Sequence, residues 1–62
     1  MKLPHYINRR SWSRGDRVVV AIGKHKGKHG RVTMPATKHN YLVLLDNEEI
    51  PRQFHKGALD PE

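Results

Sequence analysis

The chain has 62 residues and no cysteine, and its 12 lysines and arginines against six aspartates and glutamates give a formal net charge of +6. This length limits the chain to one domain with a small core, and the lack of cysteine excludes disulfides and thiolate chemistry. No apolar run approaches the ~18 residues of a membrane span and the N-terminus has no secretory pattern, so we expect a cytoplasmic protein.

The positive charge is concentrated in the N-terminal part of the chain. Residues 1–40 contain ten basic side chains and one acid, whereas residues 41–62 contain two basic side chains and five acids. A basic block of this kind commonly binds a polyanion, and nucleic acid is the usual one.

The first segment, residues 1–13, has no clean helical or strand period, and Pro4 disfavours an early helix. We therefore predict a basic arm over residues 1–13 and a separate barrel over residues 14–62. The lone tryptophan, Trp12, is expected to cover one end of the core rather than to stack on a base.

The next segment predicts a β-hairpin. Residues 17–22 form a strand with Val18, Val20 and Ile22 on its inner face, because β-branched residues suit a pleated, half-buried surface. Residues 23–30 then form a loop, and the return strand directs Val32 and Met34 inward.

The remaining segments predict further short strands. A turn at residues 35–40 leads to a nearly continuous apolar run at residues 41–45, as expected of a central strand. Residues 49–54 form another strand, in which Pro51 indicates an edge or a bulge. We expect a tight helical turn at residues 55–58, a return of Leu59 to the core and fraying beyond it. Four or five short strands separated by turns favour a small closed all-β barrel, because closure removes exposed edges.

The stretch from residue 15 to residue 32 resembles the KOW motif. The matching positions are Gly15-Asp16, Val18, Val20, Gly23, Lys26-Gly27, Gly30 and Val32. The resemblance implies an SH3-like β-barrel of about five short strands, whose first two strands and their loop contact RNA or a protein. It also equates Gly27 with the near-invariant glycine of the family, and the lysine-rich loop is more similar to the ribosomal branch than to the transcription elongation branch.

The loop has chemistry that suits phosphate. Its glycines permit positive φ angles and a close approach of phosphate to main-chain N–H groups, and Lys24, Lys26 and Lys28 alternate along it. Contacts of this kind are salt-dependent and weakly selective for sequence. The predicted nucleic-acid-binding residues are Lys24, His25, Lys26, Gly27, Lys28, His29 and Arg31, with Arg17 beside them and Arg9, Arg10 and Arg14 in support.

The spacing of the glycines and histidines does not fit a nucleotide-binding loop or a metal site. Lys28 follows Gly23 by five residues, which fits neither a Walker loop nor a dinucleotide fingerprint. His25 and His29 have zinc spacing for a helix but lie in a glycine-rich loop, and the acids at residues 46–49 suit a solvated turn. We therefore expect no metal, no cofactor and no catalytic residue. The histidines instead predict an affinity for nucleic acid that rises between ~pH 7.5 and 6.

We expect the partner to be RNA, either ribosomal RNA or a transcript, bound by a monomer. Two alternatives remain: duplex DNA bound by the same basic face, and an acidic protein that docks on an SH3-like accessory subunit. A proline-peptide groove is disfavoured because the chain has few aromatic residues.

Overall fold

The computed structural model describes residues 11–62, so most of the predicted N-terminal arm lies outside the described residues. The all-β prediction is confirmed: five strands form one antiparallel sheet in the order β4-β3-β2-β1-β5, consistent with a small SH3-like barrel. The elements in chain order are β1 (Arg17–Val20), β2 (His29–Pro35), β3 (Asn40–Leu45), β4 (Arg52–His55), a 3₁₀ turn (Lys56–Ala58) and β5 (Leu59–Pro61).

The two edge strands of the sheet, β4 and β5, follow each other in sequence. Only the three residues of the 3₁₀ turn separate them, so the sheet must curl until its edges approach each other. Hydrogen bonds hold this closure: the Lys56 N–H donates to the His39 carbonyl at 2.8 Å, and the Ala21 N–H donates to the Ala58 carbonyl at 2.8 Å. The predicted helical turn is confirmed, and it begins with a bond of 2.9 Å from the Gly57 N–H to Nδ1 of His55.

The core is built from alternate residues of the first three strands. Five of its side chains are almost completely inaccessible to solvent: Val18, Val20, Val32, Val43 and Leu45. Trp12 joins them, because its indole N–H donates to the Lys56 carbonyl at 3.3 Å and only 7% of the residue is exposed. Leu59 is also buried, so both residues occupy the core as the sequence predicts.

Two residues expected to face the core point to solvent. Strand β1 ends at Val20, two residues earlier than predicted, and Ile22 is 62% exposed. The pairing of β2 with β3 shifts register between Val32 and Met34, and Met34 is 47% exposed. A bulge of this kind reverses the face of every residue beyond it, and an alternating pattern alone does not reveal it.

Two predictions for the C-terminal half also need correction. The predicted strand over residues 49–54 is shorter and later, and Pro51 lies just before it. Residues 60–62 do not fray: β5 pairs with β1, and the Glu62 N–H donates to the Arg17 carbonyl at 3.2 Å. Between residues 11 and 62, no helix is long and apolar enough to cross a membrane.

Candidate nucleic-acid interface

The basic loop, which we define as residues 21–28, consists of two successive turns. The Lys26 N–H donates to the Gly23 carbonyl at 3.1 Å, and the Lys28 N–H donates to the His25 carbonyl at 3.0 Å. The Gly27 N–H donates to the Val20 carbonyl at 2.8 Å and so fastens the loop to β1. Gly23 and Gly27 have φ angles of 88° and 90°, which favour glycine.

This geometry changes the expected role of the loop backbone. The amides of Lys26, Gly27 and Lys28 all donate within the hairpin, so they do not form an open cradle for phosphate. Gly30 also has another role, because it lies in β2 and does not adopt a positive φ angle. A Cβ atom on Gly30 would lie 2.6 Å from the Leu44 carbonyl oxygen, so this glycine allows β3 to approach. Gly27, Gly30 and these three amides therefore serve the geometry of the hairpin itself.

Three of the predicted contact residues form no ion pair within residues 11–62. Lys24, Lys26 and Arg31 are exposed. Among residues 11–62, no carboxylate lies within 4.0 Å of any of them. Lys24 and Lys26 lie in the loop, whereas Arg31 lies on β2, directly opposite Arg17.

Arg17 and His29 instead belong to an ion-pair network with two acids, which we call the carboxylate clamp: Arg17, His29, Asp46 and Glu62. The Arg17 guanidinium donates to both oxygens of Asp46, at 3.0 and 2.9 Å, and to both oxygens of Glu62, at 3.0 Å each. Nδ1 of His29 lies 2.8 Å from Oε2 of Glu62. The clamp joins β1 and β2 to the turn after β3 and to the C-terminal residue.

The hydrogen bonds of the clamp shift the pKa values of Arg17, Asp46 and Glu62. Hydrogen bonds from Arg17 hold the pKa of Asp46 and the pKa of Glu62 below their ordinary values. The same two carboxylates raise the pKa of Arg17. Both acids are therefore charged at neutral pH, and most of the Arg17 donors are already engaged.

A second group of charged residues, which we call the Glu48 cluster, comprises His25, Lys28, Glu48 and Arg52. Oε1 of Glu48 accepts from Nε of Arg52 at 2.8 Å, while its Oε2 lies 4.0 Å from Nζ of Lys28. Nζ of Lys28 is also 3.3 Å from Nδ1 of His25. Arg52 is not among the predicted contact residues, because it lies outside the motif and only the fold brings it close to the loop.

His25 lies against β4, where its ring meets Phe54 edge-on at a centroid separation of 6.0 Å. Partial burial, and then the positive charges of Lys28, Arg52 and Lys24, hold the pKa of His25 below its ordinary value of 6.5. His25 is therefore neutral at pH 7. The predicted affinity change between pH 7.5 and 6 moves to lower pH for this residue.

The remaining predicted residues lie elsewhere. Nε of Arg14 donates to the Thr33 carbonyl at 3.1 Å, which places the Arg14 side chain along β2. Arg9 and Arg10 lie outside the described residues. Within residues 11–62, no three metal-ligating side chains come together. His25, in the loop, faces Phe54, whereas His29, at the start of β2, faces Glu62.

The sequence has a relative among known proteins. Over 49 residues, or 79% of this chain, it is 39% identical to the large ribosomal subunit protein uL24 of Caulobacter sp. (strain K31). The chain is thus similar to a ribosomal protein. The match covers 47% of that protein, so the chain spans about half the length of the curated relative it matches. No protein-family model matches the chain.

Proposed function

We propose that the chain is a non-catalytic RNA-binding module of the ribosomal KOW type, and that it binds ribosomal RNA. The observation that carries this proposal is the 39% identity to a large ribosomal subunit protein over 79% of the chain. The net charge of +6 and the exposed cations of the loop support it, because phosphate contacts dominate the affinity of proteins for nucleic acid.

The structure suggests an order of importance among the contacts. Lys24 and Lys26 meet RNA phosphates first, because both are exposed in the loop and no carboxylate among residues 11–62 pairs with them, whereas Arg31 lies on β2 and interacts with Asp46. Lys28 and Arg31 extend the surface, and His25 and His29 have secondary roles. Gly27 shapes the turn. Arg17 acts through the clamp rather than by direct contact, since two carboxylates occupy its donors. Arg14 supports the surface together with Arg9 and Arg10.

The proposal is tested by titrating the ¹⁵N-labelled protein with large-subunit ribosomal RNA fragments and following each amide by NMR. We expect the largest shifts at residues 24–31 and an affinity that falls steeply with salt. The variant Lys24→Gln/Lys26→Gln should bind about tenfold or more weakly, and its salt slope should fall by ~0.7–0.9 for each lost phosphate contact. Unperturbed amides at residues 24–31 would overturn the proposal.

Lys38→Gln/Lys56→Gln is the matched control, because it removes the same charge from the turn before β3 and from the 3₁₀ turn. A clearly smaller loss of affinity in the control assigns the contact to the loop. Equal losses in the two variants would show attraction to overall charge instead. Duplex DNA and an acidic peptide are titrated in parallel, and tighter binding of either would replace RNA as the partner.

A further inference from the structure

The Glu48 cluster has the geometry of an occupied anion site. Glu48 directs one carboxylate oxygen to the Arg52 guanidinium at 2.8 Å and the other toward the Lys28 ammonium at 4.0 Å. Two oxygens on one centre, each facing a cation, are also what a phosphodiester presents with its two non-bridging oxygens. The acid therefore stands where a backbone phosphate would be recognised.

The two cations of this site remain accessible. The side chains of Lys28 and Arg52 are 51% and 49% exposed, whereas the Glu48 side chain is 25% exposed. Ion pairs at such exposure contribute little net stability, so they exchange readily for a better partner. Arg52 bonds Glu48 through Nε, and the planar guanidinium also has the geometry to donate two parallel bonds to a phosphate.

The surface around Glu48 also has room for a chain that passes over it. A depression of about 460 Å³ is lined by Lys28, His29, Asp46, Asn47 and Glu48. A second depression, of about 450 Å³, is lined by Glu48, Glu49, Ile50, Pro51 and Arg52. Glu48 is the wall that both depressions share, with Lys28 in one and Arg52 in the other.

We propose that Lys28 and Arg52 form a phosphate-binding site for the RNA backbone, and that Glu48 occupies this site in the free protein and weakens binding. The inference rests on the proposed RNA-binding function and extends it in two ways. It adds Arg52, from β4, to the contact surface. It also makes Glu48 an internal competitor that a phosphate must displace.

The electrostatics of the cluster are consistent with this role. Arg52 and Lys28 hold the pKa of Glu48 below its ordinary value, so the competitor is charged at neutral pH. Partial burial first, and then the charges of Lys28 and Arg52, lower the pKa of the neighbouring His25, and each of these two cations acts on it more strongly than Glu48, which raises it. Positive potential therefore persists at the site although Glu48 is present.

The first test removes the competitor. Glu48→Gln keeps the shape of the side chain and removes its charge, and Glu49→Gln is the matched control because it removes the same charge one residue away. We expect Glu48→Gln to tighten RNA binding by ~3–10-fold and to steepen the salt dependence, whereas Glu49→Gln changes the affinity by less than about twofold. Equal effects of the two variants would overturn the proposal.

The second test removes the cation. Arg52→Gln should weaken RNA binding and reduce the salt slope by ~0.7–0.9, while Lys38→Gln removes an equal charge from another turn with a smaller effect. Glu48→Gln should tighten binding clearly less in the Arg52→Gln background than in the wild type, because the two residues act through one site. Additive effects would contradict the shared site, and thermal melts confirm that each variant is folded.

A third measurement separates this inference from the proposed function. Inorganic pyrophosphate is titrated into the protein and into Glu48→Gln while the Arg52 Nε–H signal is followed by NMR. A larger shift in the variant supports the site even if ribosomal RNA fails to bind, in which case only the RNA-binding proposal falls. An Arg52 signal that moves with neither pyrophosphate nor RNA would overturn the site, even if the loop lysines bind RNA.

Discussion

The β1–β2 hairpin has basic residues both at its tip, residues 24–28, and at its root, the paired strand residues 17–19 and 29–31. The fold uses the two sets of charges differently. At the tip, Lys24 and Lys26 project without a carboxylate within 4.0 Å among residues 11–62. At the root, Arg17 and His29 are held by Asp46 and Glu62 at 2.8–3.0 Å. Lys24 and Lys26 are free to attract an external anion, whereas Arg17 and His29 bind carboxylates within the fold; Arg31, opposite Arg17, stays exposed and has no carboxylate within 4.0 Å among residues 11–62.

The difference arises from parts of the chain far from the hairpin. Arg17 pairs with an acid 29 residues away and with another 45 residues away, and His29 pairs with an acid 33 residues away. Acids from residues 41–62 thus neutralise Arg17 at the root and approach Lys28 in the loop, but leave Lys24 and Lys26 unpaired among residues 11–62. Counting the basic residues of a segment therefore overestimates the charge that it presents to a partner.

The largest expected effect is a loss of stability on substitution of Gly30, which tests whether this glycine of the root is needed for packing. Gly30→Ala would place a Cβ atom 2.6 Å from the Leu44 carbonyl oxygen and 2.9 Å from the Leu45 Cα, so β2 and β3 must move apart. We expect the free energy of unfolding, measured by urea denaturation, to fall by about 2–3 kcal/mol. Stability equal to that of the wild type would show that the root tolerates a side chain and would remove this packing argument.

Local chemistry in the sequence predicts much of the fold. The alternation of Val18 and Val20, the run at residues 41–45 and the turn glycines are enough to place β1, β3 and the basic loop. The predictions that Ile22 and Met34 face the core are wrong, because the end of a strand and a bulge both depend on pairing with other strands. The expectation of fraying beyond Leu59 is wrong for the same reason: residues 59–61 form a strand only because β1 offers an unpaired edge.

The candidate site also has one part that the local sequence predicts and another part that depends on contacts between distant residues. Residues 24–28 lie in one loop, so their proximity follows from sequence and their exposure from polarity. Arg17 binds the carboxylates of the clamp only in the folded sheet. Arg52 likewise lies near Lys28, with Glu48 between them, only because the sheet folds. Contacts between residues distant in sequence have no local signal, and they decide which charges remain available.

The second prediction makes the same kind of change at the tip. Gly27 has a φ angle of 90°, which L-residues avoid, but open space surrounds the position of its missing Cβ atom. Gly27→Ala should therefore cost about 1–2 kcal/mol of unfolding free energy from backbone strain alone. NMR shifts should be confined to the loop. A larger loss than that of Gly30→Ala would reverse the assignment of packing to the root.

The third prediction concerns the clamp. Asp46 and Glu62 have folded-state pKa values below their ordinary 3.8 and 4.5, so they contribute stability above those values that is lost as the pH falls through the folded pKa values. Arg17→Gln should raise both pKa values, lower the melting temperature at pH 7 and make the melting temperature less dependent on pH below ~4.5. Carboxyl NMR titrations and melting curves measure these changes.

The control for the clamp is Lys24→Gln, which removes the same charge at the tip. It should leave the pKa values of Asp46 and Glu62 unchanged and weaken RNA binding more than Arg17→Gln does. If Arg17→Gln weakens binding as much as Lys24→Gln, Arg17 itself contributes to the contact surface and the assignment of its charge to the clamp is wrong.

The smallest expected effect concerns His25, at the edge of the tip. Its pKa is held below 6.5, so the unfolded chain takes up the proton first, and the stability contributed by the neutral ring is lost as the pH falls below 6.5. RNA phosphates would favour the protonated ring, so affinity should rise by at most a few fold, and below pH 6.5 rather than between 7.5 and 6.

His25→Gln should flatten this rise, whereas His39→Gln, on the turn before β3, should keep it. Fluorescence anisotropy at several pH values, with the ring titration followed by NMR, measures both effects. Identical pH profiles for wild type and His25→Gln would place His25 outside the contact surface and leave lysine as the source of binding at the tip.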